Sequence, residues 1–288
     1  NGAAIGAAGL SGDDTEATVI IGTAGATDED VRIIATGVHG SAIGNGRTTT
    51  NVTIQGHVTI QTASSHNYTA IGSGTGNVTV NITDNVTIDT VDEVINEDPG
   101  HSGSSIGGGS VSSGSNRKVE VNINGGDNGK VKIGENRAIL GSINGAISGT
   151  TVNIGNNVLL KMQQSGGANN EYIKVKNNAG NEVEAEVGKR SDHPGASGLV
   201  NSIGDNTELW YFNIDNKLQK IVHGKNLCKK ELVDEPPATC TTPGSKTYKC
   251  TFESFESNNS AVDPEHTEQW TETIDKLGHD FTVQQSET

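Results

Sequence analysis

The chain is poor in the residues that fill a wide core. Its 288 residues include one methionine, 3% aromatics and 32% apolar residues in all, against about 45–50% apolar in ordinary globular domains. That supply excludes a thick core of large side chains and leaves room for a thin one stacked from small β-branched residues. Cations are scarce too: 20 Lys and Arg face 35 Asp and Glu, a formal charge of −15. This excludes nucleic acid as a partner, because phosphate binding needs clustered Lys and Arg, and it argues against an anionic membrane surface. No apolar run approaches the roughly 18–20 residues of a spanning helix, so no membrane span is expected. The sequence opens at Asn1 without methionine or a signal-like segment, and reads as a processed or excised piece. Only Cys228, Cys240 and Cys250 are available for pairing. Three pairings are open, with one thiol left over; Cys240 with Cys250 is preferred, because the loop between them is short and turn-rich.

What the chain does have is glycine, 38 residues of it, and a recurring triplet of a small residue, isoleucine and glycine. It occurs as Ala4-Ile5-Gly6, Ala42-Ile43-Gly44, Ala70-Ile71-Gly72, Ser105-Ile106-Gly107 and Ser202-Ile203-Gly204, with a looser copy at Ala138-Ile139-Leu140-Gly141. Repeats of 20 to 50 residues mark stacked architectures. Two short alternating runs follow each triplet, such as Asn51-Val52-Thr53-Ile54 with His57-Val58-Thr59-Ile60, and Asn77-Val78-Thr79-Val80 with Asn85-Val86-Thr87-Ile88. Alternation over three or four residues is strand period, with Val and Ile inward and Thr, Asn, Glu or Lys outward. Three short strands separated by Gly, Asn, Asp and Ser turns describe one coil of a triangular solenoid, each coil rising about 4.8 Å. The fold expected for residues 1–165 is a right-handed parallel β-helix of roughly five or six coils. A β-sandwich would use longer strands and bulkier core residues.

After residue 165 the pattern changes. Tyr172–Val175 with Val183–Val187, and Leu209–Ile214 with Leu218–Val222, read as two β-hairpins closing an otherwise open solenoid end, so residues 166–223 form a cap. Residues 224–288 hold all three cysteines and Pro236-Pro237 and read as a small irregular C-terminal module.

The units with Ala-Ile-Gly-Ser-Gly followed by Asn-Val-Thr-Val or Asn-Val-Thr-Ile resemble Gly-rich β-helix regions of large surface proteins from Gram-positive gut bacteria. The tail, with Ala238-Thr239-Cys240-Thr241 leading to Thr247-Tyr248-Lys249-Cys250 and ending in Leu277-Gly278-His279-Asp280, resembles one unit of a tandem repeat in such proteins. It departs from that repeat after Cys250, where Thr251-Phe252-Glu253 stand in place of a further cysteine. The resemblance implies a secreted, cell-wall-associated protein of adhesin type. Its partner would be a host or bacterial surface glycan or protein.

Parallel β-helices also carry polysaccharide-degrading enzymes, whose catalytic patterns are specific. A hydrolase needs two nearby carboxylates as acid and base; Asp13-Asp14, Val38-His39-Gly40 and Thr83-Asp84 stand in the wrong order and read as turn chemistry. A lyase needs a calcium-binding acidic cluster; Asp89, Asp92, Glu93, Glu97 and Asp98 form an acidic run that reads as a solvated loop, though calcium there is conceivable. Gly125-Gly126-Asp127-Asn128-Gly129 reads as a turn. Thr53 and Thr79 could begin a threonine row, broken by Glu120 and Asn153. The Asn-x-Thr sequons at Asn51, Asn67, Asn77, Asn81 and Asn85 read as by-products of the strand pattern. His266 and His279 flank Trp270, where zinc with two cysteines is conceivable. Trp210, Tyr211 and Tyr172 are the candidates for stacking on a sugar ring, though burial under the cap explains Trp210 and Tyr211 as well. The chain is therefore expected to be a monomeric, non-enzymatic surface module without cofactor or resident metal, with a polysaccharide lyase or hydrolase, or a non-catalytic carbohydrate-binding module, as the alternatives.

Overall fold

The computed structural model describes residues 3–7, 16–28, 30–37, 40–64, 69–74, 76–91, 106–108, 118–138, 140–142, 150–163, 171–176, 182–187, 198–200, 203–212, 218–252 and 269–278. The chain divides into two units, Asn1–Asn226 and Leu227–Thr288. The cap thus belongs to the same unit as the solenoid, and the second unit starts three residues later than the sequence suggests.

The first unit is a parallel β-solenoid. Its first coil is β1 (Ile5–Ala7), β2 (Ala17–Ile21) and β3 (Val31–Gly37), and its second is β4 (Ile43–Asn45), β5 (Thr50–Ile54) and β6 (His57–Ser64). The third is β7 (Ile71–Ser73), β8 (Val78–Thr83) and β9 (Asn85–Val91), and the fourth is β10 (Ile106–Gly108), β11 (Val119–Asn124) and β12 (Val131–Ala138). The fifth is β13 (Leu140–Ser142), β14 (Thr150–Ile154) and β15 (Val158–Gln163). Each strand pairs in parallel with its counterpart one coil away. This builds a short-strand sheet (β1-β4-β7-β10-β13) and two long-strand sheets, one running through β2, β5, β8, β11 and β14 and the other through β3, β6, β9, β12 and β15.

Register explains how so little apolar material makes a core. Val19, Val52, Val80, Val121 and Val152 stack in one column, and Ile21, Ile54, Ile82, Ile123 and Ile154 in the next. The other long sheet stacks Ile33, Ile60, Ile88, Ile133 and Leu160. Each branched side chain rests on a copy of itself, and one cluster of buried residues runs through all the coils. Burial of this kind contributes about 25 cal/mol per Å² of apolar surface.

The triplet is fixed by its glycine. Gly6, Gly44, Gly72 and Gly107 form a column with φ of 135°, 124°, 134° and 127°, a region that side chains disfavour. A Cβ on Gly44 would lie 2.0 Å from the carbonyl oxygen of Gly72, and one on Gly72 2.0 Å from that of Gly107. Glycine also corrects two readings of the repeat. Gly141 aligns with Gly107, so Leu140, not Ile139, takes the place of Ile106. Of the triplet at 202–204, the described Ile203 and Gly204 lie outside the described strands of the short-strand sheet: they precede β19 (Glu208–Phe212), and a Cβ on Gly204 would meet Gly155 at the corner between the long sheets.

Both expected hairpins form. The strand β16 (Glu171–Lys176) pairs antiparallel with β17 (Glu182–Val187), and β19 pairs antiparallel with β20 (Leu218–His223). The cap also continues the solenoid: β18 (Gly198–Val200) lies parallel between β14 and β16, and β19 runs parallel to β15.

The second unit is more regular than expected. After a 3₁₀ turn at Lys225–Leu227, the strands β21 (Cys228–Asp234), β22 (Gly244–Phe252) and β23 (Gln269–Ile274) form an antiparallel sheet. The disulfide joins Cys228 to Cys250, correcting the expected Cys240–Cys250 pair. The reason is register: Cys250 stands opposite Lys230 and Cys228 opposite Phe252, which puts both sulfurs on one face with Cα atoms 5.3 Å apart, within the reach of a disulfide. Cys240 lies between the strands as an exposed free thiol.

Candidate functional site

Outward positions on the long sheets of coils two to four carry no core side chains, and the solenoid's polar surface chemistry is concentrated there. On the β2 sheet one outward row reads Ile20, Thr53, Asn81, Asn122 and Asn153, and the next reads Thr18, Asn51, Thr79, Glu120 and Thr151. Thr53 and Thr79 therefore belong to different rows and form no threonine ladder. The asparagines do form one. The Asn122 amide donates to Asn81 Oδ1 at 2.9 Å, and that of Asn153 donates to Asn122 Oδ1 at 2.7 Å. Asn122 also donates to Glu120 Oε1 at 3.2 Å, and Lys118 Nζ lies 2.7 Å from Glu120 Oε2. The bonds from Lys118 and Asn122 hold the Glu120 carboxyl below its ordinary value. The result is a file of amides held in register by the coils beneath, flanked by hydroxyls and a fixed carboxylate.

The other asparagines and the candidate aspartate serve the corners. Asn77 Oδ1 accepts the Lys118 N–H at 2.7 Å and Asn85 Oδ1 the Lys130 N–H at 2.9 Å, one coil further on. The Oδ1 atoms of Asn77, Asn81 and Asn85, all in sequons, thus accept hydrogen bonds from the solenoid itself. Asp84 sits at a corner with φ of 68°, and its Oδ2 accepts the N–H groups of Gly25 and Gly56, each at 3.0 Å. A carboxylate so used ties three coils together. Gly125–Gly129 is the turn expected, closed by the Gly129 N–H donating to the Gly125 carbonyl at 3.0 Å. Asp13, Asp14, His39 and the acidic run from Asp92 to Asp98 lie outside the described residues.

No family model, curated protein or solved structure matches the chain. What its surfaces can bind must be judged from their own chemistry.

The aromatic candidates fare unequally. Trp210 is 1% exposed; its ring N–H donates to the Glu208 carboxylate and Lys161 Nζ lies 5.2 Å from the ring centroid. It projects from the outer side of β19, yet Glu208, Ile221 and His223 beside it are buried as well. Trp210 is therefore packing within the cap and offers no platform for a sugar. Tyr211 and Tyr172 lie on β19 and β16, and their side chains fall outside what is described.

The accessible aromatic pair is one the sequence reading passed over. Tyr248 and Trp270 stand opposite each other on β22 and β23, with centroids 5.8 Å apart and planes inclined by 29°. Lys230 Nζ lies 5.2 Å from the Tyr248 centroid and 5.5 Å from that of Trp270, within cation–π range. It also bonds Glu272 Oε1 at 2.7 Å. Strand alternation puts the disulfide, Lys230, Tyr248, Trp270 and Glu272 on one face of the sheet. The signal that could have found this pair is their alternation with polar residues in two strands that read only as a repeat motif. Zinc with two cysteines is excluded for Cys228 and Cys250, whose sulfurs are bonded to each other. His266 and His279 lie outside the described residues, among which no group of three metal-ligating side chains occurs.

Proposed function

We propose that the chain is a non-catalytic module of a secreted, cell-wall-associated bacterial protein, with the solenoid serving as a rigid support that presents a polar binding face. The observation that carries this reading is the register-locked Asn81–Asn122–Asn153 file with Thr53, Thr79 and Glu120 around it. Donors and acceptors held one coil apart, about 4.8 Å, suit an extended polar ligand, and a surface glycan is the first candidate. The Cys228–Cys250 disulfide supports an oxidising compartment outside the cell, and the repeat resemblance points the same way.

The test pairs binding with turnover. On arrays of glycans and surface proteins the chain should be retained by a polar ligand. The triple variant Asn81→Ala, Asn122→Ala, Asn153→Ala should weaken retention at least about fivefold, the lower bound for losing two hydrogen bonds of roughly 0.5–1.5 kcal/mol each. Sustained release of reducing ends or unsaturated products from pectin, alginate or glycosaminoglycans would instead make the chain an enzyme. A second reading, carbohydrate binding by the tail, is favoured by the Tyr248–Trp270 pair. Under it Trp270→Ala abolishes glycan retention and the asparagine variant leaves it intact.

A further inference from the structure

We infer that the asparagine file takes a neutral, extended β-1,4-linked polysaccharide lying along the solenoid axis, one sugar ring to each coil. The inference rests on the reading of this face as the binding surface and adds the class and the direction of the ligand. Charge is the first observation behind it. Of the outward positions on β2, β5, β8, β11 and β14, Glu120 alone is a charged residue, and Lys118 Nζ meets it at 2.7 Å. The outward positions of the other long sheet include Arg32, Asp89 and Lys132. A polyanion on the file would meet the overall charge of −15, with the neighbouring Lys118 already paired.

The second observation is the type of hydrogen-bonding group. The file and its flanks present amides and hydroxyls, which both donate and accept, as sugar hydroxyls do. Asn122 is spent within the file: its amide donates to Asn81 and to Glu120, and its Oδ1 accepts from Asn153. It therefore locks the row, and contact falls to the groups around it, Thr53 and Asn153 in the same row and Thr79 and Thr151 in the next.

Spacing is the third, and it sets the direction. Along the axis equivalent side chains recur once per coil, about 4.8 Å, whereas along a strand outward positions recur every second residue, about 6.6 Å. A β-1,4-linked chain in its extended form is a flat ribbon that advances by nearly the coil step with each ring. Laid along the axis, it sets a ring over each of Thr53, Asn81, Asn122 and Asn153, and alternate rings turn their hydroxyl edges to the file and to the row of Thr79 and Thr151. Laid across the coils, it is out of step by the third ring. An α-1,4-linked chain of the same sugars winds away from a straight file, so this face reads linkage before sugar identity. Thr53 to Asn153 covers four coils, and binding should grow with chain length up to about one ring per coil and then level off.

The experiment is titration calorimetry of the 288-residue chain with cello-, manno- and chitohexaose and with maltohexaose, which shares its glucose rings with cellohexaose and differs in linkage. At least one β-1,4 hexamer should bind at least about fivefold more tightly than maltohexaose and than its own dimer, the lower bound for two further hydrogen bonds. Its tetramer should bind as well as its hexamer. The affinity should be the same at low and high salt, because the ligand carries no charge to screen. Thr53→Ala and Asn153→Ala, at the two ends of the file, should each weaken the hexamer about two- to tenfold. Thr59→Ala and Thr87→Ala, outward on the other long sheet, should leave it unchanged. Because all four side chains point outward, each variant should keep its circular dichroism spectrum; if one end variant misfolds, the other still decides. Maltohexaose bound as tightly as the β-1,4 hexamers overturns the proposal, as does hexamer binding indifferent to both end variants. An acidic glycan retained through the asparagine file overturns it too, yet leaves that face as the binding surface; no glycan held through the file at all removes both.

Discussion

The two units hold β-strands together by opposite means. In the solenoid every second residue of a long strand is buried on a copy of itself, and no disulfide is needed among the described residues. In the tail only Gly244 and Cys250 are buried among the described residues of β21, β22 and β23. There the strands are tied by the Cys228–Cys250 bond, the Lys230–Glu272 and Lys246–Glu235 ion pairs and the Tyr248–Trp270 contact. The difference teaches that an aromatic-poor chain can build β-structure by repetition, but a single sheet without repeats must be stapled.

That contrast can be broken from the solenoid side by one methyl group. Gly72 has φ of 134° and its Cβ would lie 2.0 Å from the Gly107 carbonyl oxygen, a backbone atom that cannot swing aside. Gly72→Ala should therefore cost at least about 3 kcal/mol. In calorimetry the solenoid transition should drop while the tail transition stays put. If Gly72→Ala were neutral, the glycine column would not be what sets the coil spacing.

From the tail side the lever is reduction. Cys228 and Cys250 are 22 residues apart in sequence, and opening a loop of that size should destabilise the tail by about 2–4 kcal/mol. Reducing agent, or Cys250→Ser, should lower the tail transition and leave the solenoid transition unmoved. A reduced protein whose two transitions fall together would show that the units are one cooperative structure.

The solenoid was legible in the sequence because, in a repeat, local pattern and tertiary register carry the same information: the column Val52, Val80, Val121 is visible as a spacing before it is visible as a contact. Legibility failed where spacing and register part. Ile139 matched the motif by residue type, but Gly141 sets the register and gives the position to Leu140. The Cys228–Cys250 pair depends on how β21 lies against β22, which short loop length does not reveal. Trp210 read equally as a sugar platform or as packing under the cap, and the choice between them is decided by what covers the strand. Of the asparagine file only Asn81 belonged to an Asn-x-Thr sequence, and the amide-to-amide bonding needed the alignment of three coils.

The smallest effect separates the two units by pH. The bond from Lys230 holds the Glu272 carboxyl below its ordinary value, and the bond to Glu272 holds the Lys230 ammonium above its own. A lowered acid stabilises the folded tail at every pH above the ordinary carboxylate value, and loses that contribution as pH falls through the lowered one. A raised base contributes fully below the ordinary lysine value and loses its contribution as pH rises through the raised one. The pair thus supports the tail across a plateau between those limits and fades at both ends. Both groups are at the surface, so the contribution is small and weakens with salt. Comparing the tail transition of the unaltered chain with that of Glu272→Gln should show a gap through neutral pH that closes below about pH 4 and above about pH 11. The solenoid transition should be the same in both proteins at every pH, because the substitution lies in the second unit. A gap in the tail that persisted unchanged into acid would mean that Glu272 acts through packing, and the stapled sheet would then resemble the solenoid more than its exposure suggests.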